Sequence, residues 1–128
     1  ALRRGHEMVL TPNAQCYLSR RQFSSGDPHS YYSPTGPLIT LETAYSFDPA
    51  DGIPEAVRAR ILGGQASVWG EAVPNLHDFE WKTWPRACAI AESLWLGAAK
   101  PGFDDFLHRM KTHRDRLVAA GVMCAPLD

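Results

Sequence analysis

The chain has 128 residues, of which 45% are hydrophobic, and carries a formal net charge of −1. This composition supports one modest hydrophobic core and argues against a disordered chain. The balanced charge gives no sign of a nucleic-acid partner, and the absence of a run of about 18 apolar residues predicts no membrane-spanning helix.

The first half of the chain contains one strand pattern and several turn signals. Residues 7–11 form a short apolar run that ends at Pro12, which predicts a buried strand. Residues 24–37 are rich in Ser, Gly, Pro and Tyr and predict a long loop of a kind that is often functional. Residues 41–47 and 53–57 predict short helices.

The second half contains a second strand pattern and two amphipathic helices. Residues 60–69 predict another buried strand, in which Gly63 and Gly64 would let a neighbouring segment approach closely. Residues 84–95 and 103–118 have apolar side chains at helical spacing. Strands that alternate with helices indicate parallel βα units, so the fold class is α/β. Two parallel strands are too small a sheet to be covered on both faces by this much helix. We therefore expect the complete sheet to contain further strands that lie outside these residues.

The candidate metal ligands do not form a recognisable pattern. Cys16, Cys88 and Cys124 include no pair separated by two residues, and we expect free or buried thiols. His108 and His113 are five residues apart, which is a poor spacing for one helix face. The sequence therefore predicts no metal site and no cofactor, and it leaves the cellular compartment open.

Several motifs occur in the order and spacing of a known family. The chain resembles glycoside hydrolase family 20, the family of the β-N-acetylhexosaminidases. The segments that carry this resemblance are Pro12–Ser19, Thr40–Pro49, Leu62–Glu71 (which contains Gly-Gly-Gln-Ala-Ser-Val-Trp-Gly-Glu), Trp84–Ala87 and Ala91–Trp95. The resemblance extends from about Glu7 to Trp95, and the closing helix and the end of the chain are also similar.

The resemblance implies a fold that is larger than these residues. Its catalytic domain is a (β/α)8 TIM barrel, which needs about 250 residues and places its active site at the C-terminal ends of the strands. Residues 1–128 would form the C-terminal portion, with strands seven and eight and their helices. The partner would be the remainder of the barrel.

The resemblance also implies an activity. Family 20 enzymes depart from the usual two-carboxylate mechanism of glycosidases, because the acetamido group of the substrate acts as the nucleophile. The chain would belong to a retaining exo-β-N-acetylhexosaminidase that removes terminal N-acetylglucosamine or N-acetylgalactosamine from an oligosaccharide. The Asp-Glu pair that supplies the acid in the family matches no motif here, so we expect the chain alone to be inactive.

Three residues match positions of the family's sugar pocket. Tyr17 would be catalytic, because its hydroxyl would donate to the acetamido oxygen. Trp69 would bind substrate by stacking on the sugar, and Glu71 would accept hydrogen bonds from its distal hydroxyl groups. The structural alternatives are a tyrosine packed beside a strand, a core tryptophan and a surface ion pair.

Two further residues would bind substrate near the sugar's 6-hydroxyl. Ser19 stands where the family more often has Asp or Asn, and Arg21 would share its face in an extended segment. The alternative is that Arg20 and Arg21 face solvent. In the predicted helix over 84–95, Glu92 fits a structural ion pair with Arg86.

Two other functions remain possible at the level of sequence. The chain could come from a non-catalytic sugar-binding or decayed relative, which would lack the Asp-Glu pair on an earlier strand. It could also be a self-contained structural α/β domain, which would need a closed sheet of roughly four strands or more.

Overall fold

A computed structural model of the chain describes residues 1–29 and 36–127. Two parallel strands, β1 (Met8–Leu10) and β2 (Ile61–Gly64), form the only sheet within these residues. Short 3-10 turns occur at Leu2–Arg4, Gly70–Ala72 and Gly97–Ala99. The helices are α1 (Asn13–Cys16), α2 (Leu41–Tyr45), α3 (Glu55–Arg58), α4 (Leu76–Thr83), α5 (Arg86–Leu96) and α6 (Phe103–Ala119).

Both predicted strands are confirmed, although each is shorter than its pattern. Met8 is paired with Ile61 and Leu10 with Gly64, with an irregularity after Met8. The pairing continues beyond the strands, because Leu18 N–H donates to the Ser67 carbonyl at 2.8 Å. The two segments therefore run side by side as far as Leu18 and the residues before Trp69.

The core lies between the sheet and a layer of three helices, α2, α5 and α6, which we call the helical layer. Its fully buried apolar side chains include Leu18, Ile39, Ala44 and Ala89. Gly64 is required for this packing, because a Cβ atom there would lie 2.5 Å from Phe47 Cε1 and 2.9 Å from Leu94 Cδ2. The predicted close approach is confirmed at Gly64 and is wrong at Gly63, where no atom lies within 4 Å of an added Cβ atom.

Hydrogen bonds and one stacked ring pair join the three helices of the helical layer. The Tyr45 and Phe106 rings stack with centroids 4.5 Å apart, and the Tyr45 hydroxyl donates to Glu92 Oε1 at 3.0 Å. Burial and the bond to Glu92 raise the pKa of Tyr45 to about 12, so this hydroxyl remains a donor. Arg109 forms two bonds of 2.7 Å to the Glu92 carboxylate. The predicted pairing of Glu92 with Arg86 is therefore wrong.

The inner face of α5 is displaced from the predicted one. The face that we expected from apolar spacing included Trp95, but its side chain is 89% exposed. The side chains of α5 that are buried are instead Arg86, Ala89, Ile90 and Ser93. Two of these are polar, which hid the inner face from a search for apolar residues. The predicted helix over 103–118 is confirmed as α6, which buries Phe106 and Met110.

Two helices, α1 and α4, escaped the sequence analysis, and one predicted loop is described only in part. Helix α4 begins at Asn75, whose side chain accepts a hydrogen bond from Asp78 N–H and so caps the helix. Residues 30–35 of the loop predicted over 24–37 lie outside the described residues.

The structure also describes the state of the cysteines and allows a search for membrane-spanning helices and metal-binding groups. All three cysteines are free. Over residues 1–29 and 36–127, no helix combines the length and the apolar surface needed to cross a bilayer. Within the same ranges, no group of three His, Cys, Asp or Glu side chains is placed to hold a metal ion.

Candidate functional site

The ends of the two paired segments bring Tyr17 and Trp69 together. Tyr17 ends α1 and forms a parallel bridge with Ser67, two residues before Trp69. The two rings have centroids 6.0 Å apart and planes inclined at 38°. Trp69 is 50% exposed although it is large and apolar, so its ring offers a surface to a ligand or to further protein.

The Tyr17 hydroxyl is free to act on a ligand. No hydrogen bond joins it to another of the residues that the structure describes, although the side chain is only partly exposed. A tyrosine hydroxyl can donate one hydrogen bond and accept others. Tyr17 therefore combines a ring that is held in place with an unused polar group.

Ser19 lies behind this pair of rings. It is only 6% exposed, and its hydroxyl accepts a hydrogen bond from Trp69 N–H at 3.0 Å. This bond joins the segment that carries Tyr17 directly to the backbone of Trp69. We call Tyr17, Ser19 and Trp69 the strand-end site.

The other two residues expected in the site are less closely tied to it. Glu71 lies in the 3-10 turn that follows Trp69, and its side chain is exposed. Its carboxylate has no ion pair with any residue in the described ranges. Arg21 is partly exposed, and its carbonyl accepts from Ile39 N–H at 2.9 Å. The structure shows no contact that brings either side chain against Tyr17 or Trp69.

Two buried cations, which the sequence analysis missed, donate hydrogen bonds to the backbone of the strand-end site. Lys82 on α4 is 2% exposed, and its ammonium group donates to the Ser19 carbonyl at 3.1 Å. Burial lowers the pKa of Lys82, while the nearby Asp27 and Asp78 carboxylates oppose that shift.

Arg86 at the start of α5 is completely buried. Its guanidinium group donates to four backbone carbonyls, and two of them, Leu18 and Arg20, flank Ser19. The four bonds measure 2.6 Å to Leu18, 3.2 Å to Arg20, 2.9 Å to Ile39 and 2.6 Å to Lys82. Arg86 belongs to a Trp-Pro-Arg motif, but Lys82 and Arg86 lie on two different helices, α4 and α5, so the spacing of these residues in the sequence did not reveal the pair.

A polar cluster anchors the loop that leaves the strand-end site. Asp27 accepts hydrogen bonds from Gln22 N–H at 3.3 Å and from the Trp81 indole at 3.3 Å. His29 contacts the buried Asp78 carboxylate of α4. Helix α4 therefore holds both the start of the loop and, through Lys82, the site itself.

A groove on the surface lies away from the strand-end site. It has a volume of about 460 Å³ and follows β1 from Met8 to Pro12, opposite Ser46 to Asp51. Val9 on β1 and Leu62 on β2 are 52% and 63% exposed. Because the groove borders β1, which is paired on one edge only, we interpret it as space for further chain and not as the ligand site.

Comparison with known proteins shows a family match over most of the chain. The family described as glycosyl hydrolase family 20, catalytic domain, matches residues 1–98. A β-hexosaminidase of Akkermansia muciniphila is 32% identical over 110 residues, which are 86% of this chain and 22% of that protein. A β-hexosaminidase of Porphyromonas gingivalis is 30% identical over 91% of this chain and 15% of that protein.

Solved structures show the same similarity. An exo-β-N-acetylglucosaminidase of Vibrio harveyi, solved with N-acetylglucosamine, has a TM-score of 0.86 at 28% identity and matches 98% of this chain. The matched region is 20% of that protein. The chain thus spans about a fifth of the length of these relatives.

Proposed function

The chain belongs to glycosyl hydrolase family 20, and from this we propose that it forms part of a β-N-acetylhexosaminidase. We assign residues 1–128 to the C-terminal portion of a (β/α)8 TIM barrel, with β1 and β2 as its seventh and eighth strands. The observation that carries this proposal is the pairing of Tyr17 and Trp69 at the C-terminal ends of two parallel strands, where barrel enzymes place their active sites.

The exposed sheet supports a larger barrel. Both strands expose apolar side chains, and the groove beside β1 follows an unpaired strand edge. In the proposed barrel the remaining strands and helices cover these surfaces. That remainder is the partner of the chain described here.

The proposed reaction removes a terminal N-acetylglucosamine or N-acetylgalactosamine from an oligosaccharide with retention of configuration. The acetamido oxygen forms a bond to the anomeric carbon while the glycosidic carbon–oxygen bond breaks, and an acid protonates the departing oxygen. Water then attacks the anomeric carbon and opens the cyclic intermediate. We place the acid and its aspartate neighbour on an earlier strand, outside these 128 residues.

In this reaction Tyr17 donates its hydroxyl hydrogen to the acetamido oxygen. The bond holds the nucleophile in line with the anomeric carbon and stabilises the charge that develops on the acetamido group. Trp69 offers its exposed face to the apolar side of the sugar. Glu71 accepts hydrogen bonds from the distal hydroxyls, each worth roughly 1.5–3 kcal/mol with a charged acceptor.

We assign Ser19 and Arg21 to the side of the site near the sugar's 6-hydroxyl. The Ser19 hydroxyl accepts from Trp69 N–H, which leaves its own hydrogen for donation. Arg21 follows two residues later along the chain and carries a positive charge. A neutral serine here removes the repulsion that a carboxylate would exert on an anionic 6-substituent.

The test is substrate selectivity in the complete protein. We expect hydrolysis of aryl N-acetyl-β-glucosaminides and galactosaminides, release of the β-anomer first, and no hydrolysis of the aryl β-glucoside that lacks the acetamido group. Equal rates on the glucoside would contradict acetamido participation. Binding of N-acetylglucosamine without any turnover would identify a non-catalytic, sugar-binding relative instead.

A further inference from the structure

We propose that Lys82 and Arg86 are positioning residues for the sugar site, because together they fix the backbone that carries Tyr17 and Trp69. The inference rests on the proposed function. It adds an explanation of how the two aromatic rings keep their relative position. Neither side chain needs to touch the substrate. Both act on backbone carbonyls that lie directly after Tyr17.

The first support is the target of each bond. The carbonyls of three consecutive residues, Leu18, Ser19 and Arg20, accept hydrogen bonds from the two buried cations. Lys82 takes the middle carbonyl, and Arg86 takes the two that flank it. Hydrogen bonds from a charged donor are stronger than neutral ones, so three of them on consecutive carbonyls hold this segment in position.

The second support is the cost of burying these charges. Lys82 and Arg86 are 2% and 0% exposed, and buried cations lose most of their solvation. Well-packed apolar side chains of similar volume often give equal or greater stability than buried charged groups. The two cations are therefore explained better by the geometry that they impose than by the stability that they add.

The third support is the continuity from the cations to Trp69. The carbonyl of Ser19 accepts from Lys82, and the hydroxyl of the same residue accepts from Trp69 N–H at 3.0 Å. A shift of Ser19 would therefore move Tyr17 on one side and Trp69 on the other. The two rings lie 6.0 Å apart, and a displacement of about 1 Å can cost a hundredfold in rate.

The chain provides a matched control for Lys82 in the helical layer. Lys100 also donates to backbone carbonyls, those of Tyr45 and Phe47, and to the Ser93 hydroxyl. Burial lowers the pKa of Lys100 as it does that of Lys82. Lys100 has no bond to the segment that follows Tyr17, so it shares the chemistry of Lys82 without the position.

The experiment compares Lys82→Met with Lys100→Met in the complete protein. We expect both variants to lower the melting temperature. At a temperature where both are folded, Lys82→Met should lower kcat/KM for an aryl N-acetyl-β-glucosaminide about 10- to 100-fold, with kcat reduced and KM raised. Lys100→Met should leave both constants at the parent values, and Lys82→Arg should restore part of the loss.

The outcomes separate this inference from the proposed function. If the parent hydrolyses the substrate and the two methionine variants have the same kcat/KM, the positioning role is wrong and the proposed function stands. If the parent has no turnover, the proposed function fails, and the dissociation constant for N-acetylglucosamine takes the place of kcat/KM. An unchanged constant in Lys82→Met would then overturn the positioning role as well.

A second variant covers the case in which Lys82→Met does not fold. Ser19→Ala keeps the lysine bond to the Ser19 carbonyl and removes the acceptor of Trp69 N–H. Because the same hydroxyl is assigned to the sugar's 6-hydroxyl, the variant is assayed with an aryl 6-deoxy-N-acetyl-β-glucosaminide, which has no 6-hydroxyl to bind. We expect it to lower kcat/KM while it changes the melting temperature little. In combination with Lys82→Arg the losses should not add, because both act through Ser19. Parent kinetics in Ser19→Ala would contradict the network.

Discussion

The helical layer and the strand-end site differ in the hydrogen bonding of their tyrosine hydroxyl groups. In the helical layer, Tyr45 is 3% exposed and its hydroxyl donates to Glu92 and to the Pro101 carbonyl. At the strand-end site, the Tyr17 hydroxyl has no hydrogen bond to any other described residue, and Trp69 is 50% exposed. Each region therefore contains a tyrosine beside another aromatic ring, but only the hydroxyl of Tyr45 has hydrogen-bond partners among the described residues.

This difference separates stability from function within a small chain. A buried hydroxyl with its partners contributes to folding, whereas an unused hydroxyl beside an exposed indole is available to a ligand. Apart from Arg86, which contacts the strand-end segment, substitutions in the helical layer should therefore act mainly on the free energy of unfolding. Substitutions at the strand-end site should act mainly on catalysis.

The largest expected effect concerns the chain by itself. We expect residues 1–128 alone to show no turnover of an aryl N-acetyl-β-glucosaminide, because no Asp-Glu motif of the family occurs in them. The exposed strands should also make the isolated chain prone to aggregation. Turnover above background, with contaminating enzyme removed, would show that the strand-end site is sufficient for catalysis.

A large effect on stability is expected in the helical layer. Phe106 is 3% exposed and stacks on Tyr45, so Phe106→Ala removes a buried ring. We expect the free energy of unfolding of the complete protein to fall by about 3–5 kcal/mol. Below the melting transition, kcat/KM should stay near the parent value. A lower kcat/KM in fully folded Phe106→Ala would contradict the assignment of stability to the helical layer and catalysis to the strand-end site.

The converse effect is expected for Trp69. Trp69→Ala should lower kcat/KM, with a rise of roughly 2–4 kcal/mol in the corresponding activation free energy, because the stacking is lost and a cavity opens. That range corresponds to about 30- to 1,000-fold. Trp69→Phe keeps a ring and should recover most of the loss. If instead both variants lower the melting temperature and leave kcat/KM unchanged, Trp69 belongs to the packing of the barrel and not to its sugar site.

A smaller effect of pH is expected from Glu92. Its pKa lies below the ordinary 4.5, chiefly because Arg109 donates hydrogen bonds to its carboxylate. A lowered pKa in the folded state adds stability above about pH 4.5, and this stability is lost as the pH falls through the folded value. Because Arg109 is 46% exposed, we expect a contribution of only about 1 kcal/mol.

The measurement is the melting temperature between neutral pH and pH values below 4.5, the ordinary pKa of Glu92. Glu92→Gln should melt lower at neutral pH and show a smaller further loss in acid than the parent. Equal acid-induced losses in the two proteins would show that other carboxylates determine the acid sensitivity. The kinetics of Glu92→Gln at neutral pH should match those of the parent.

The sequence predicted the elements that follow simple periodicity. Helix α6 was found because its apolar residues recur at helix spacing, and the two strands were found as short segments that the sequence predicts to be buried. The resemblance to family 20 predicted which residues to examine at the strand ends. The structure brings two of them, Tyr17 and Trp69, into ring contact.

The parts that escaped prediction are those in which polar side chains are buried. The inner face of α5 includes Arg86 and Ser93, so the apolar pattern pointed to a face on which Trp95 is exposed. Lys82 gave no signal, because a buried lysine cannot be distinguished from a surface lysine without its partners. Its partner is a backbone carbonyl of Ser19, which spacing in the sequence does not reveal.

One kinetic comparison tests the division between the two regions most directly. In the complete protein, Tyr17→Phe and Tyr45→Phe each remove one hydroxyl and leave the ring. We predict that Tyr17→Phe lowers kcat on an aryl N-acetyl-β-glucosaminide more than it changes KM, at an unchanged melting temperature, because the hydroxyl acts on the nucleophile in the transition state. Tyr45→Phe should lower the free energy of unfolding by about 1 kcal/mol and keep the parent kcat. Parent kinetics in Tyr17→Phe would contradict the assignment of the strand-end site as the catalytic pocket.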